Sequence, residues 1–184
     1  MRLALAVVAA VLFSAPAQAR DAFDALRCGS DVHTALVGKT MPDGTAKAIE
    51  DRHKAIGLVD EGADEINDSL QMVGWTICGA SYDMLIDNNG RIYDVLAFPA
   101  HSRQMPEFSG TCKRDGKELS DVIYAVLDNR AGFDPDPSHH SGAGAPLPAL
   151  AAWRVDEHQR KFVALPAAGL LCPRDGMFTV DGGP

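Results

Sequence analysis

The stretch LQMVGWTICGASYDMLIDNNGRIYDVLAF, residues 70–98, decides the fold. Leu70 to Cys78 is an apolar run carrying Trp75 and Ile77 and broken at Gly79, the pattern of a buried strand. Tyr82 to Ile86 and Ile92 to Phe98 flank Asp87-Asn88-Asn89-Gly90, a composition that joins antiparallel strands. Two registers compete for this hairpin. A two-residue turn at Asn89-Gly90 puts Arg91 on the face of Met84 and Ile86. A three-residue loop with Gly90 as the left-handed residue pairs Asp87 with Arg91 instead, and gathers Tyr82, Met84, Ile86, Ile92, Leu96 and Phe98 on one face. The second is preferred, and it leaves Asp94 on that face in need of a partner. The segment is therefore expected to be a three-strand antiparallel meander.

Two helices are expected before it. Ser30 or Asp31 caps a short one through Leu36, ended by Gly38. Thr45 starts a second to about Ile56, with Gly57 as its stop; Ala46, Ile49, His53 and Ile56 share one stripe, so His53 is a candidate for burial. Residues 60–68 are acidic, carry Gly62 and read as a loop. Beyond the meander, residues 122–127 are rich in β-branched side chains, although Leu119, Val122, Ile123 and Val126 also fit helical spacing. Residues 131–148, dominated by Gly, Pro, Ser, Asp and His, read as a flexible loop. Trp153 to Val155 and Lys161 to Ala164 form a second hairpin around residues 156–160, and Cys172 opens a disulfide-anchored turn. The expected fold class is α+β: a meander sheet, two N-terminal helices, a C-terminal hairpin and two disulfides.

The start of the chain has the layout of a secretory leader. Arg2 precedes an apolar run from Leu3 to Phe13, and Ala17-Gln18-Ala19 is a small-x-small cleavage step. An apolar run of this length rises roughly 16 Å as a helix, against the ~30 Å core of a bilayer. The expected organisation is a cleaved leader, residues 1–19, and a single domain, residues 20–184, in the periplasm or outside the cell. Four cysteines, Cys28, Cys78, Cys112 and Cys172, then read as two disulfides, with no CxxC or CxxH spacing to suggest a metal. In a meander the first and third strands run the same way, which favours Cys78–Cys112 and leaves Cys28–Cys172 to tie the termini.

The net charge of −8 argues against nucleic acid and anionic membranes and favours a basic partner. No phosphate loop, HExxH, EF-hand or Gly-x-Ser-x-Gly elbow occurs, so no cofactor is expected. Cys28, Ala35 to Lys39, and Leu85-Ile86-Asp87 with Gly90-Arg91-Ile92 are similar to pieces of small bacterial peptidase inhibitors. The similarity covers only these short pieces, and the acidic residues 60–68 stand where those proteins carry an Arg-rich stretch, so it assigns no family.

The residues that bear on chemistry are few. Asp60, Glu61, Asp64 and Glu65 are the expected contact surface for a basic partner, with the loop at residues 131–148 as a second candidate surface. His101, just past the third strand, is a catalytic candidate beside Ser81 and Ser102; Asp94, Glu61 and Glu65 are the acids worth testing for acid–base work. His139 and His140 are the metal-ligand candidates. The expected function is an exported protein-binding module without catalysis: an inhibitor, immunity factor or envelope-assembly accessory. The alternatives are a small hydrolase near His101 and a metal-handling protein using His139 and His140.

Overall fold

The computed structural model describes residues 21–102, 104–131, 145–174 and 177–178. The leader-like residues 1–19 and the pair His139 and His140 lie outside these. A 3-10 helix at Ala22–Ala25, α1 at Val32–Leu36, α2 at Ala46–Arg52 and a second 3-10 helix at Lys54–Ile56 open the fold. The Asp31 carboxylate caps α1 by accepting from the Thr34 N–H, and Thr45 caps α2 through the Ala48 N–H. The helical part is smaller than expected. α1 and α2 span only five and seven residues, and α2 ends at Arg52, with His53 as its cap, instead of running to Ile56.

The protein is mostly β. One sheet runs β1–β2–β3–β4, formed by Val59–Asn67, Leu70–Ile77, Ala80–Asp87 and Ile92–Ala97, all antiparallel. The meander thus has four strands where three were expected, because the acidic residues expected as a loop are β1. Its reading failed for a physical reason: β1 is an edge strand, exposed from Val59 to Glu65, and charge suits an edge that must not pair with strangers. The β3–β4 turn closes as preferred from the sequence, with Gly90 at φ +73° and the Asp87 N–H bonded to the Arg91 carbonyl at 3.2 Å.

A bulge in β4 revises the face assignments. Leu85 opposes Asp94 and Ile86 opposes Ile92, so Tyr93 is an extra residue. Ile92 and Val95 therefore stay with Tyr82, Met84 and Ile86 under the helical layer, while Leu96 turns to the opposite face with Phe98.

The second sheet has the order β12–β5–β8–β9–β11–β6–β7, with β10 added to β9. Its strands are Glu107–Gly110 (β5), Lys113–Arg114 (β6), Lys117–Glu118 (β7), Ile123–Leu127 (β8), Leu147–Asp156 (β9), Lys161–Leu165 (β10), Leu170–Cys172 (β11) and Met177–Phe178 (β12). β9 and β10 are the expected C-terminal hairpin, with Phe162 opposite Val155. β9 begins at Leu147, inside the segment expected to be a loop, and pairs there with β11; residues 132–144 of that segment lie outside the described residues.

Alternation along the strands builds the layers. The helical pieces cover one face of the first sheet through Phe23, Leu36, Ile49, Trp75, Met84 and Ile92. Its other face meets the second sheet through Leu70, Met72, Leu85, Phe98, Tyr124 and Val126. Beyond β8, the far face of the second sheet buries Phe108, Ile123, Ala125, Leu127 and Leu170. β8 is buried on both sides, which is why its β-branched composition outweighed the helical spacing.

The disulfides are Cys28–Cys78 and Cys112–Cys172, correcting the expected pairing. Cys78 sits in the two-residue β2–β3 turn with Gly79, at φ +54° and +79°. Its N–H reaches the Ile56 carbonyl at 2.7 Å, so this turn, although at the same end of the sheet as Phe98, is tied to the helical layer beside Cys28, while Cys112 lies in the core of the second sheet. Cys112 follows β5 and closes onto β11 within the second sheet. Each bridge staples one side of the molecule to itself.

Candidate functional site

Between the sheets, where the apolar filling ends, lies a cleft of about 270 Å³ lined by Glu61, Asp64, Met72, Gly74, Asp83 and Glu107, with Gly62, Ala63 and Ser109 at its margin. Strand periodicity puts these side chains there. Asp83 lies two residues before Leu85 on β3 and shares its face; Gly74 lies two after Met72 on β2; Glu107 and Ser109 flank Phe108 on β5 and so point away from the buried side of the second sheet. One transverse row of the first sheet reads Gly62, Gly74, Asp83, with a glycine on each strand outside the acid. The row therefore has room above it.

Glu61 reaches the cleft through a second bulge. Asp60 opposes Trp75 and Gly62 opposes Gly74, which leaves Glu61 extra, with Gly62 at φ +103° accommodating the kink. Its Oε1 accepts from the Thr76 hydroxyl and, at 3.1 Å, from the Ser81 hydroxyl. Its Oε2 and the Oδ1 of Asp83 lie 3.7 and 3.5 Å from the point a Cβ on Gly74 would occupy. Gly74 is thus the floor between two carboxylates.

Asp83 is 6% exposed, and its Oδ2 is buried with no hydrogen-bond partner among the described residues. Burial pushes its carboxyl up to about 8, and the nearby carboxylates Glu107, Glu61 and Asp64 push in the same direction. Asp83 is therefore a neutral acid at pH 7. Burial also raises Glu107, opposed by His101 and reinforced by Glu61 and Asp64. The Tyr124 hydroxyl behind them is raised by burial and by Asp64 and Asp83. His101 backs the cleft: its side chain is 8% exposed, it stands edge-on to Phe98, and its Nε2 is 3.9 Å from Glu107 Oε2.

Of the expected contact residues, Glu61 and Asp64 line the cleft. Asp60 faces the helices, its N–H donating to Glu50 Oε1 at 2.9 Å, and Glu65 borders a separate hollow with Tyr124, Val155 and Glu157. Asp94 is not at the cleft. The structure gives it the partner its position required: its Oδ1 meets His33 Nε2 at 3.0 Å and its Oδ2 accepts from the Phe162 N–H at 2.8 Å, tying α1, β4 and β10 together. His53 is buried as expected, 3.0 Å from Asp21 Oδ2 and edge-on to Phe23. Sequence reasoning missed Asp83 and Glu107. A signal for Asp83 existed, an acid inside the apolar run Tyr82 to Ile86; Glu107, after a proline in an unremarked segment, had none.

Among the described residues, no three His, Cys, Asp or Glu side chains converge closely enough to hold a metal ion. No helix among them is long and apolar enough to cross a membrane. No protein-family model, no curated protein and no solved structure matches the chain.

Proposed function

We propose that the protein is an exported binding module that holds a basic surface of another envelope or extracellular protein, with the acidic strand β1 as its contact edge. One observation carries this reading. Four acidic side chains from β1, β3 and β5 surround one cleft whose described lining contains no Lys or Arg, so the charge of the ionised ones is left for a partner to neutralise. Export is supported by the leader-like start and by the pairing of all four cysteines into disulfides. The test is capture of a basic protein from a native envelope extract by the oxidised chain. Glu61→Lys with Asp64→Lys abolishes capture, and raised salt weakens it, if the contact is electrostatic. Capture that survives the double reversal removes the reading.

A second reading, a small hydrolase acting near His101, is favoured by the raised carboxyl of Asp83 beside Glu107 and by the approach of His101 to Glu107. It expects turnover of an aryl glycoside or ester panel that Asp83→Asn and Glu107→Gln both abolish. No turnover by the unaltered chain disposes of it.

A further inference from the structure

The geometry points to a receptor for the cationic end of one lysine or arginine side chain, formed by Asp83 at the base of the cleft with Glu61, Asp64 and Glu107 around it. This rests on the binding-module reading and names the group that the partner inserts. Size narrows the occupant first. At about 270 Å³ the cleft lies just below the roughly 300–1,000 Å³ of sites that enclose whole small-molecule ligands. A long, thin side chain fits it; a folded segment does not.

Polarity narrows it further. A buried carboxyl oxygen without a partner costs stability, so each one calls for a physical explanation, and a bound cation is one such explanation. Asp83, nine-tenths buried and with one oxygen unpartnered among the described residues, lines this cleft, and Glu61 is held in place beside it by the hydroxyls of Thr76 and Ser81. A second carboxylic acid would add to the crowding of acids, and an apolar group would offer them neither charge nor hydrogen bonds. An ammonium or guanidinium donates hydrogen bonds to Asp83 and offsets the charge of the other three.

The site has a built-in consequence for protons. The groups facing Asp83 are Glu61 and Asp64 from β1, Glu107 from β5 and Tyr124 from β8, with His101 behind Glu107; β2 contributes only Gly74 and Met72. Without a cation, Asp83 keeps its proton at neutral pH because burial strips it of water and, to a lesser degree, because three carboxylates crowd it. A cation entering the cleft reverses the balance, and the proton leaves as the cation binds. One proton released per cation makes the affinity rise about tenfold per pH unit below pH 8 and level off above it.

The experiment titrates the oxidised chain with N-acetyl-lysine methylamide and N-acetyl-arginine methylamide, with the norleucine compound as uncharged counterpart, at pH 6, 7, 8 and 9. Carboxyl NMR of Asp83 reads binding, and calorimetry in buffers of different ionisation enthalpy counts protons. The expected result is saturable binding of a charged probe but not of norleucine. Close to one proton is released at pH 6 and 7, falling toward none at pH 9. Asp83→Asn weakens the probe at least tenfold at pH 8 and abolishes proton release. Binding of neither charged probe, or binding at pH 6 and 7 without proton release in the unaltered chain, overturns the proposal. Spermidine binding without either amino-acid probe overturns the side-chain assignment.

The two readings fail separately. Capture lost on reversing Glu61 and Asp64 but indifferent to Asp83→Asn and to pH leaves the strand contact standing and removes the receptor. Probe binding with proton release, in a protein that captures no partner, leaves the receptor and removes the partner.

Discussion

Asp83 shows how two neighbours in sequence can meet opposite environments. Tyr82 and Met84 pack under the helical layer, while Asp83 faces the space between the sheets beside three other acids. Its protonation has a direct consequence for stability. The folded chain keeps the proton up to about pH 8, whereas the unfolded chain sheds it near the ordinary value of 3.8. Folded protein therefore binds more protons through this window, and its contribution falls as pH rises from about 4 to 8, by at most ~1.4 kcal/mol per unit. Asp83→Asn keeps the shape without the ionisation. It is expected to raise Tm most at pH 8, with the gain shrinking toward pH 4, as read by thermal melts across that range; a gain of equal size at both ends refutes the assignment. Gly74 gives a second expectation at this scale. A Cβ there would lie 3.2 Å from the Glu61 Cβ, so Gly74→Ala fills the floor of the cleft. Binding of the lysine probe should drop several-fold while chemical denaturation shows a stability change within about 1 kcal/mol.

At the scale of elements, two bulges do work that strand periodicity alone would not. In β1 the extra Glu61 turns a carboxylate into the cleft; in β4 the extra Tyr93 changes the faces of all later residues, which is why Leu96 and Phe98 pack against the second sheet and not under the helices. A bulge leaves little mark in sequence when its residue is an ordinary Glu or Tyr, so the hairpin register was legible and its consequences beyond Tyr93 were not. The disulfides belong to this scale as well. They close loops of 50 and 60 residues, and the chain-entropy relation gives each about 4 kcal/mol. Replacing both members of either pair with Ser should lower denaturant stability by up to that amount. Peptide mapping without reduction should recover Cys28 with Cys78 and Cys112 with Cys172; any crossed pair would contradict the layering described above.

For the whole molecule, the layer between the sheets is apolar where Leu70, Leu85, Phe98, Tyr124 and Val126 meet and acidic where Asp83, Glu61, Asp64 and Glu107 meet. The apolar part holds the sheets together, and the acidic part stays open because like charges resist closure. Leu85 is fully buried in the first part, so Leu85→Ala should cost about 2–5 kcal/mol in equilibrium unfolding. Val59, half exposed on the β1 edge, should tolerate Ala within about 0.5 kcal/mol. Similar losses at both positions would mean that the sheets are not joined where the structure joins them.

Local chemistry made several features readable without coordinates. Helix caps at Asp31 and Thr45, the turn at Gly90, the burial of His53 and the C-terminal hairpin all follow from residues within a few positions of one another, where backbone geometry and hydrogen bonding act directly. The acidity of residues 60–65 was equally plain, but whether those side chains faced water or a cleft was not. That depended on which strand β1 paired with and on which sheet packed over it. Likewise the partners of the four cysteines, the ligands of Asp94 and the meeting of Asp83 with Glu107 join residues far apart in the chain. Such contacts are settled only when sheets stack and solvent leaves the space between them, because it is this exclusion of water that turns four ordinary acids into one site.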